Sequence, residues 1–162
     1  MDDHERSLSA RGIKAAPRIG AFMHAKTYGP NFVLCSTAAR AKQTLELILP
    51  YFEREPKIRY DAALYLAGWP ELLAEIKLTP FGASPLLVVG HNPGLEQLAS
   101  KLAREPEGAL ERQSFQKMTD KFPTAAFAVL EFAVNDWQAV NPGLGMLSDF
   151  VRPLDLPKNH HE

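Results

Sequence analysis

The sequence predicts an α/β fold: a three-layer α/β/α domain on a mixed, mostly parallel central sheet. Three observations carry that expectation. Leu86-Leu87-Val88-Val89 is apolar on both faces, as suits a strand in the middle of a helix-covered sheet. Amphipathic helical stretches alternate with short apolar strands through the first two thirds of the chain. Two or three strands then follow one another near the end, which adds antiparallel pairing to the parallel part.

Taken in order, Ser9 is placed to cap a helix reaching to about Lys26, with Ile13, Ala16, Ile19 and Met23 on one face. Pro17 should kink that helix or mark a restart, and Tyr28-Gly29-Pro30-Asn31 reads as a turn. Phe32-Val33-Leu34-Cys35 is a short buried strand, and Ser36 is expected to cap a second helix ending near Leu49, before Pro50. Lys57-Ile58-Arg59-Tyr60 is a weak strand, and Pro70 opens a short helix through Leu72, Leu73 and Ile76. After the strand at 86–91, Asn92 fits an N-cap and Pro93 the first helical position. Leu95, Leu98, Ala99, Leu102 and Ala103 then give a core-facing helical stripe. Residues 104–122 read as a polar loop. Residues 127–132 are a strong strand, Trp137-Gln138-Ala139-Val140 its expected hairpin partner, and Gly143-Leu144-Gly145 turns into a last short strand at Met146–Val151.

Composition bounds the function. At 162 residues the chain is expected to be a single domain with room for a substantial core. A net charge of -1 argues against broad nucleic-acid or anionic-membrane binding. Charge is uneven, however: residues 1–60 hold 10 Lys/Arg against 6 Asp/Glu, and residues 61–162 hold 8 against 13. The first third can therefore supply cations to an anionic ligand, or simply present a solvated surface. No apolar run approaches the roughly 20 residues of a membrane span, and no signal peptide precedes the first charges, since the chain opens Met1-Asp2-Asp3-His4-Glu5. The single Cys35 excludes an intramolecular disulfide and fits a reducing cytoplasm. The tail 158–162 is polar and expected to fray.

Two strand-to-helix junctions carry the chemistry. His91 follows a strand and precedes a helix start, at the sheet edge where α/β folds bind ligands and where helix N-termini favour anions. Arg40 lies in the first turn of the helix after strand 32–35, where its planar fork can grip phosphate oxygens beside unpaired backbone N–H groups. Either residue alone has an ordinary reading, a surface arginine or a structural histidine; side by side they would converge on one anion. Cys35 and Arg40 do not make a thiolate phosphatase loop, which needs one more residue between them and glycines to wrap the phosphate, so Cys35 is read as a small buried strand residue. His24 and the terminal Asp2, Asp3, His4 and Glu5 are read as an isolated side chain and a mobile end. No Walker loop or HExxH motif occurs.

Together these segments resemble the histidine phosphatase (phosphoglycerate-mutase-like) superfamily, and within it the small bacterial phosphohistidine phosphatases. His4-Glu5-Arg6-Ser7-Leu8-Ser9-Ala10-Arg11-Gly12 is similar to the family's D-x-x-R-P-L-x-x-x-G segment, with Ser7 where proline is usual. Cys35-Ser36-Thr37-Ala38-Ala39-Arg40-Ala41-Lys42-Gln43-Thr44 is similar to its S-x-x-x-R-x-x-Q-T segment, and Val88-Val89-Gly90-His91-Asn92-Pro93 to its second-histidine segment. Phe122-Pro123-Thr124-Ala125 and the ending around Trp137 and Phe150 resemble the terminal portion. The resemblance implies phosphoryl transfer through a phosphohistidine, without metal or organic cofactor, on a phosphorylated protein histidine or a small phosphoester. It makes Arg40 a phosphate clamp, His91 the second pocket histidine and Arg6 a further pocket arginine.

The family begins with a strand ending in Arg-His-Gly or Arg-His-Ala, whose histidine is the nucleophile. Neither tripeptide occurs in these 162 residues, and His4 falls inside a later segment. The expectation is therefore an N-terminally truncated domain, inactive as it stands, whose missing strand is encoded upstream or supplied by another chain in an oligomer. The alternative is a non-catalytic phospho-ligand binding module that keeps only part of the pocket. No general acid is identified, Glu71 and Glu75 being candidates only as acidic residues on a helix.

Overall fold

The computed structural model describes residues 2–158. Helix α1 (Ala10–Ala25) leads to strand β1 (Phe32–Ser36) and helix α2 (Ala39–Ile48), then to β2 (Lys57–Asp61) and α3 (Trp69–Lys77). Strand β3 (Leu86–Val89) is followed by α4 (Gly94–Leu102) and α5 (Gly108–Asp120), and β4 (Phe127–Glu131) and β5 (Met146–Val151) close the order. No helix among the described residues is long and apolar enough to cross a membrane.

Strands β2, β1 and β3 form a parallel sheet in that order, with Val33 opposite both Ile58 and Leu87. As the central strand, β1 has Val33, Leu34, Cys35 and Ser36 fully buried. Its side chains alternate between two layers, as a strand's must. Val33 and Cys35 enter a core with Ala16, Ile19 and Met23 of α1 and Ala41, Leu45 and Ile48 of α2. Leu34 enters another with Leu72, Leu73 and Ile76 of α3 and Leu98 and Leu102 of α4. The domain is therefore α/β/α, with α1 and α2 on one face and α3 and α4 on the other.

Strands β4 and β5 pair antiparallel, with a bulge between Val129 and Leu130. Among the described residues the two sheets do not meet. Strand β3 pairs only with β1, and β4 only with β5. Between them lies a cavity of about 710 Å³, lined by the consecutive residues Leu86, Leu87 and Val88 on one side and all of β4 on the other. Consecutive residues of a strand share a wall only along its edge, so both strands turn an unpaired edge to this slot. Met23 of α1 and Leu95, Leu98 and Ala99 of α4 close it from the helical layers. All four β3 residues are half-buried, whereas an apolar strand in mid-sheet was expected to be covered. The open edge is the reason.

Several local expectations change. One helix runs through Pro17, capped by Ser9 Oγ, which accepts from Gly12 N at 3.1 Å. The turn after α1 falls at Lys26-Thr27, with Thr27 at φ 58°, one step before the expected site. Ser36 ends β1 and does not cap α2, whose N-cap is Ala38. Asn92 donates its side-chain amide to the Phe122 carbonyl at 3.0 Å, and Pro93 takes the N-cap position of α4. Residues 108–120 are helix, not loop: the segment is rich in good helix formers, but only Met118 on it is buried, so its apolar stripe is narrow. Residues 137–139 are a 3-10 turn capped by Asp136, and β5 takes the place of the expected hairpin partner of β4. The expected frayed tail lies, beyond Lys158, outside the described residues.

Candidate active site

Parallel pairing in register brings the carboxyl ends of β1 and β3 together, with Cys35 opposite Val89. The residues that follow therefore emerge side by side. His91 Nε2 lies 2.8 Å from Ser36 Oγ, and both side chains are buried. Ser36 Oγ also accepts from Ala38 N at 3.2 Å, which leaves its own proton free for His91. Arg40 stands in the first turn of α2 with its side chain 15% exposed.

The third strand contributes as well. Tyr65 comes just after β2, anchored by the buried Leu64. Its ring stands edge-on to His91, with centroids 5.6 Å apart and planes at 89°. The Arg40 guanidinium carbon is 5.9 Å from the same ring centroid. Gly94 helps to hold this segment against α4, since a Cβ there would lie 2.1 Å from the Ala67 carbonyl oxygen. The carboxyl ends of all three parallel strands thus meet at one place, the edge where α/β sheets bind ligands.

The segment Asp3–Glu5, expected to be mobile, forms a 3-10 turn against this place. Arg40 Nη1 donates to the Asp3 carbonyl at 2.8 Å, and Nη2 to Asp3 Oδ2 at 3.2 Å. The Tyr65 hydroxyl donates to the same carboxylate oxygen, and Arg6 Nε reaches Oδ1 at 3.3 Å. His4 Nε2 lies 2.7 Å from Thr37 Oγ1, and its ring meets Tyr65 edge-on at 4.8 Å. Among the described residues no group of three His, Cys, Asp or Glu side chains is arranged to hold a metal.

The electrostatics follow from these contacts. Burial, followed by the charge of Arg40, pushes His91 down to about 4, so its imidazole is neutral at pH 7. The Tyr65 hydrogen bond and the Arg40 charge hold the Asp3 carboxyl below its ordinary value, against some desolvation. Burial raises the Cys35 thiol to about 12, in keeping with a strand-core residue and not a nucleophile.

Of the residues singled out from sequence, Arg40 and His91 share the Tyr65 ring, and Arg6 joins them at the rim through Asp3 with its side chain 59% exposed. Glu75 is engaged elsewhere, with Arg59 at 3.1 Å and Asp61, and Glu71 is exposed on α3. Sequence reasoning missed Tyr65, Asp3, His4 and Thr37. For Tyr65 a signal existed: it follows the carboxyl end of a strand, as His91 does.

No protein-family model matches the chain. An uncharacterized protein of Mycobacterium tuberculosis is 36% identical over 151 residues, which are 93% of this chain and 91% of that protein. An uncharacterized protein of Mycobacterium leprae is 34% identical over 136 residues, 84% of this chain and 80% of its own length. Among solved structures, the proposed phosphohistidine phosphatase SixA of Nakamurella multipartitia superposes with a TM-score of 0.80 at 30% identity, over 95% of this chain and 88% of that one. The proposed SixA of Agrobacterium tumefaciens gives 0.72 at 26% identity, over 94% and 87%. A protein histidine phosphatase SixA complexed with tungstate, 20% identical, shares the fold with a TM-score of 0.68. With the strand-end histidine and arginine on that fold, the chain belongs to the histidine phosphatase superfamily, among its SixA-like members.

Proposed function

We propose that this chain forms the phosphoryl-binding half of a phosphohistidine phosphatase-like hydrolase acting on a phosphorylated protein histidine or a small phosphoester. The observation that carries the reading is the convergence of Arg40 and a neutral, buried His91 at the carboxyl ends of adjacent parallel strands. Arg40 supplies charge and a planar fork for phosphoryl oxygens, and His91 a ring nitrogen for a further oxygen. Arg6 adds charge at the rim. Phosphoryl transfer asks mainly for positioning and charge stabilisation, which these groups provide.

The reaction also needs a nucleophile, and we assign that role to a histidine outside these 162 residues. Its imidazole nitrogen would attack phosphorus as the bond to the leaving group breaks and the leaving group takes up a proton. Water would then cleave the N–P bond and release inorganic phosphate. The slot between β3 and β4 supports this reading. At about 710 Å³, with an unpaired strand edge on either side, it has room for a short strand and its side chains. Running parallel to β3, such a strand would deliver its last residue beside His91. It could come from the same polypeptide or from another chain in an oligomer.

The test is hydrolysis of p-nitrophenyl phosphate. The 162-residue chain alone should release no phosphate. The same chain joined to a strand ending in Arg-His-Gly should turn over, and its His91→Ala form should not. Turnover by the unextended chain refutes the missing nucleophile. Phosphate binding without turnover in the extended chain favours the second reading, a non-catalytic phospho-ligand binding module, for which the absence of Arg-His-Gly or Arg-His-Ala from the sequence speaks.

A further inference from the structure

Asp3 Oδ2 receives two donors at once, the Tyr65 hydroxyl and Arg40 Nη2. Arg6 Nε takes the other carboxylate oxygen, and Arg40 Nη1 the Asp3 carbonyl. Donors arranged in this way select oxygens carried by an anion, and a phosphoryl group presents the same kind of oxygens as a carboxylate. The partners differ in how firmly they are held. Arg40 is mostly covered at the head of α2, and Tyr65 is fixed by Leu64 below it and by its ring contact with His91. Asp3 lies on a one-turn exposed segment, with its side chain 46% exposed. The donors are the fixed part of the arrangement, and the carboxylate is the part that can leave.

Building on the phosphoryl-binding reading, we propose that Tyr65 is a third donor of the anion subsite beside Arg40 and His91, and that Asp3 fills this subsite until a phosphoryl oxygen displaces it. Tyr65 is suited to the role because a phenol, with an ordinary value of about 10, stays protonated at neutral pH. A neutral hydroxyl grips an oxyanion without adding charge. Asp3 makes the resting site electrically satisfied, so that a ligand enters by exchange of one anion for another and not by entering an open cationic pocket.

Calorimetric titration of the full 162-residue chain with inorganic phosphate and with tungstate tests this. Asp3→Asn removes the competing charge and should tighten binding roughly two- to five-fold, the span of an exposed ion pair. Tyr65→Phe in the Asp3→Asn background should weaken it about tenfold, as for a hydrogen bond to a charged group. Phenylalanine keeps the ring contacts, and thermal melts check that each variant is folded. A second readout needs no affinity: phosphate should perturb the tyrosine absorption of Asp3→Asn, and this difference spectrum should vanish in Asp3→Asn/Tyr65→Phe. Looser or unchanged binding by Asp3→Asn would make Asp3 an orienter of Arg40 and overturn the proposal. Equal binding by Asp3→Asn with and without the Tyr65 hydroxyl would reduce Tyr65 to a latch for Asp3. Failure of every variant to bind either anion would instead bring down the phosphoryl-binding reading, and this assignment with it.

Discussion

Replacing His91 with asparagine removes an imidazole that is 9% exposed and whose pKa folding lowers from 6.5 to about 4, burial being the larger cause and the Arg40 charge the second. The sign follows from proton counting. Between those two values the unfolded chain binds a proton at this position that the folded chain does not, so stability rises with pH through the window and falls on acidification. The loss begins as pH drops through 6.5 and is complete below about 4. Taking those two values, the wild-type chain should lose about 2 kcal/mol more than His91→Asn between pH 7 and pH 5. For a chain of this size that corresponds to a melting temperature falling by roughly 4–8 °C more than in the variant. The carboxylates held low by their partners, Asp3, Asp61 and Asp155, destabilise the fold only at more acid pH, and both proteins share them. Urea denaturation followed by circular dichroism at pH 7, 6 and 5 measures the difference directly. Parallel pH profiles for the two proteins, within about 0.5 kcal/mol, would refute the claim that His91 is held neutral by burial and by Arg40.

Other outcomes follow from the same structure. Arg40→Ala should weaken inorganic phosphate binding by at least about tenfold, with the melting temperature little changed because the guanidinium lies at the head of α2; unchanged affinity by calorimetry would remove Arg40 from the site. Leu34→Ala, in the fully buried central strand between α3 and α4, should cost about 2–5 kcal/mol in urea unfolding. Cys35, fully buried and with its thiol raised to about 12, should resist iodoacetamide at pH 8 in the native chain and react quickly in denaturant; rapid native alkylation would contradict its burial.

The sequence made the strand-to-helix junctions legible because each is marked by chemistry that local structure demands. An apolar run ends, and a helix with a 3.6-residue stripe begins, at both Arg40 and His91. What it did not reveal depends on packing from afar. The helix at 108–120 buries only Met118, so its pattern resembles a polar loop until Arg104 pairs with Glu111 and α5 settles on β5. The 137–139 segment has strand-forming residues, yet Asp136 accepts from Gln138 N and Ala139 N and winds it into a 3-10 turn. In the site, Asp3 and His4 read as a loose end because, Arg6 apart, what holds them is distant in sequence. Their partners Arg40, Tyr65 and Thr37 lie from 33 to 62 positions away. Tyr65 was hidden for a related reason: it follows the weakest strand, whose parallel pairing with β1 only the fold reveals.

On the reading proposed above, Arg40, His91 and the carboxyl ends of β1 and β3 form one phosphoryl-binding pocket. A crystal structure of the chain with tungstate tests it most directly, because the metal's anomalous signal locates the anion independently of the protein. A single tungstate is expected within hydrogen-bonding distance of the Arg40 guanidinium and the His91 ring, with the Asp3 carboxylate turned away. Tungstate bound elsewhere, with Asp3 still seated on Arg40 and Tyr65, would contradict it.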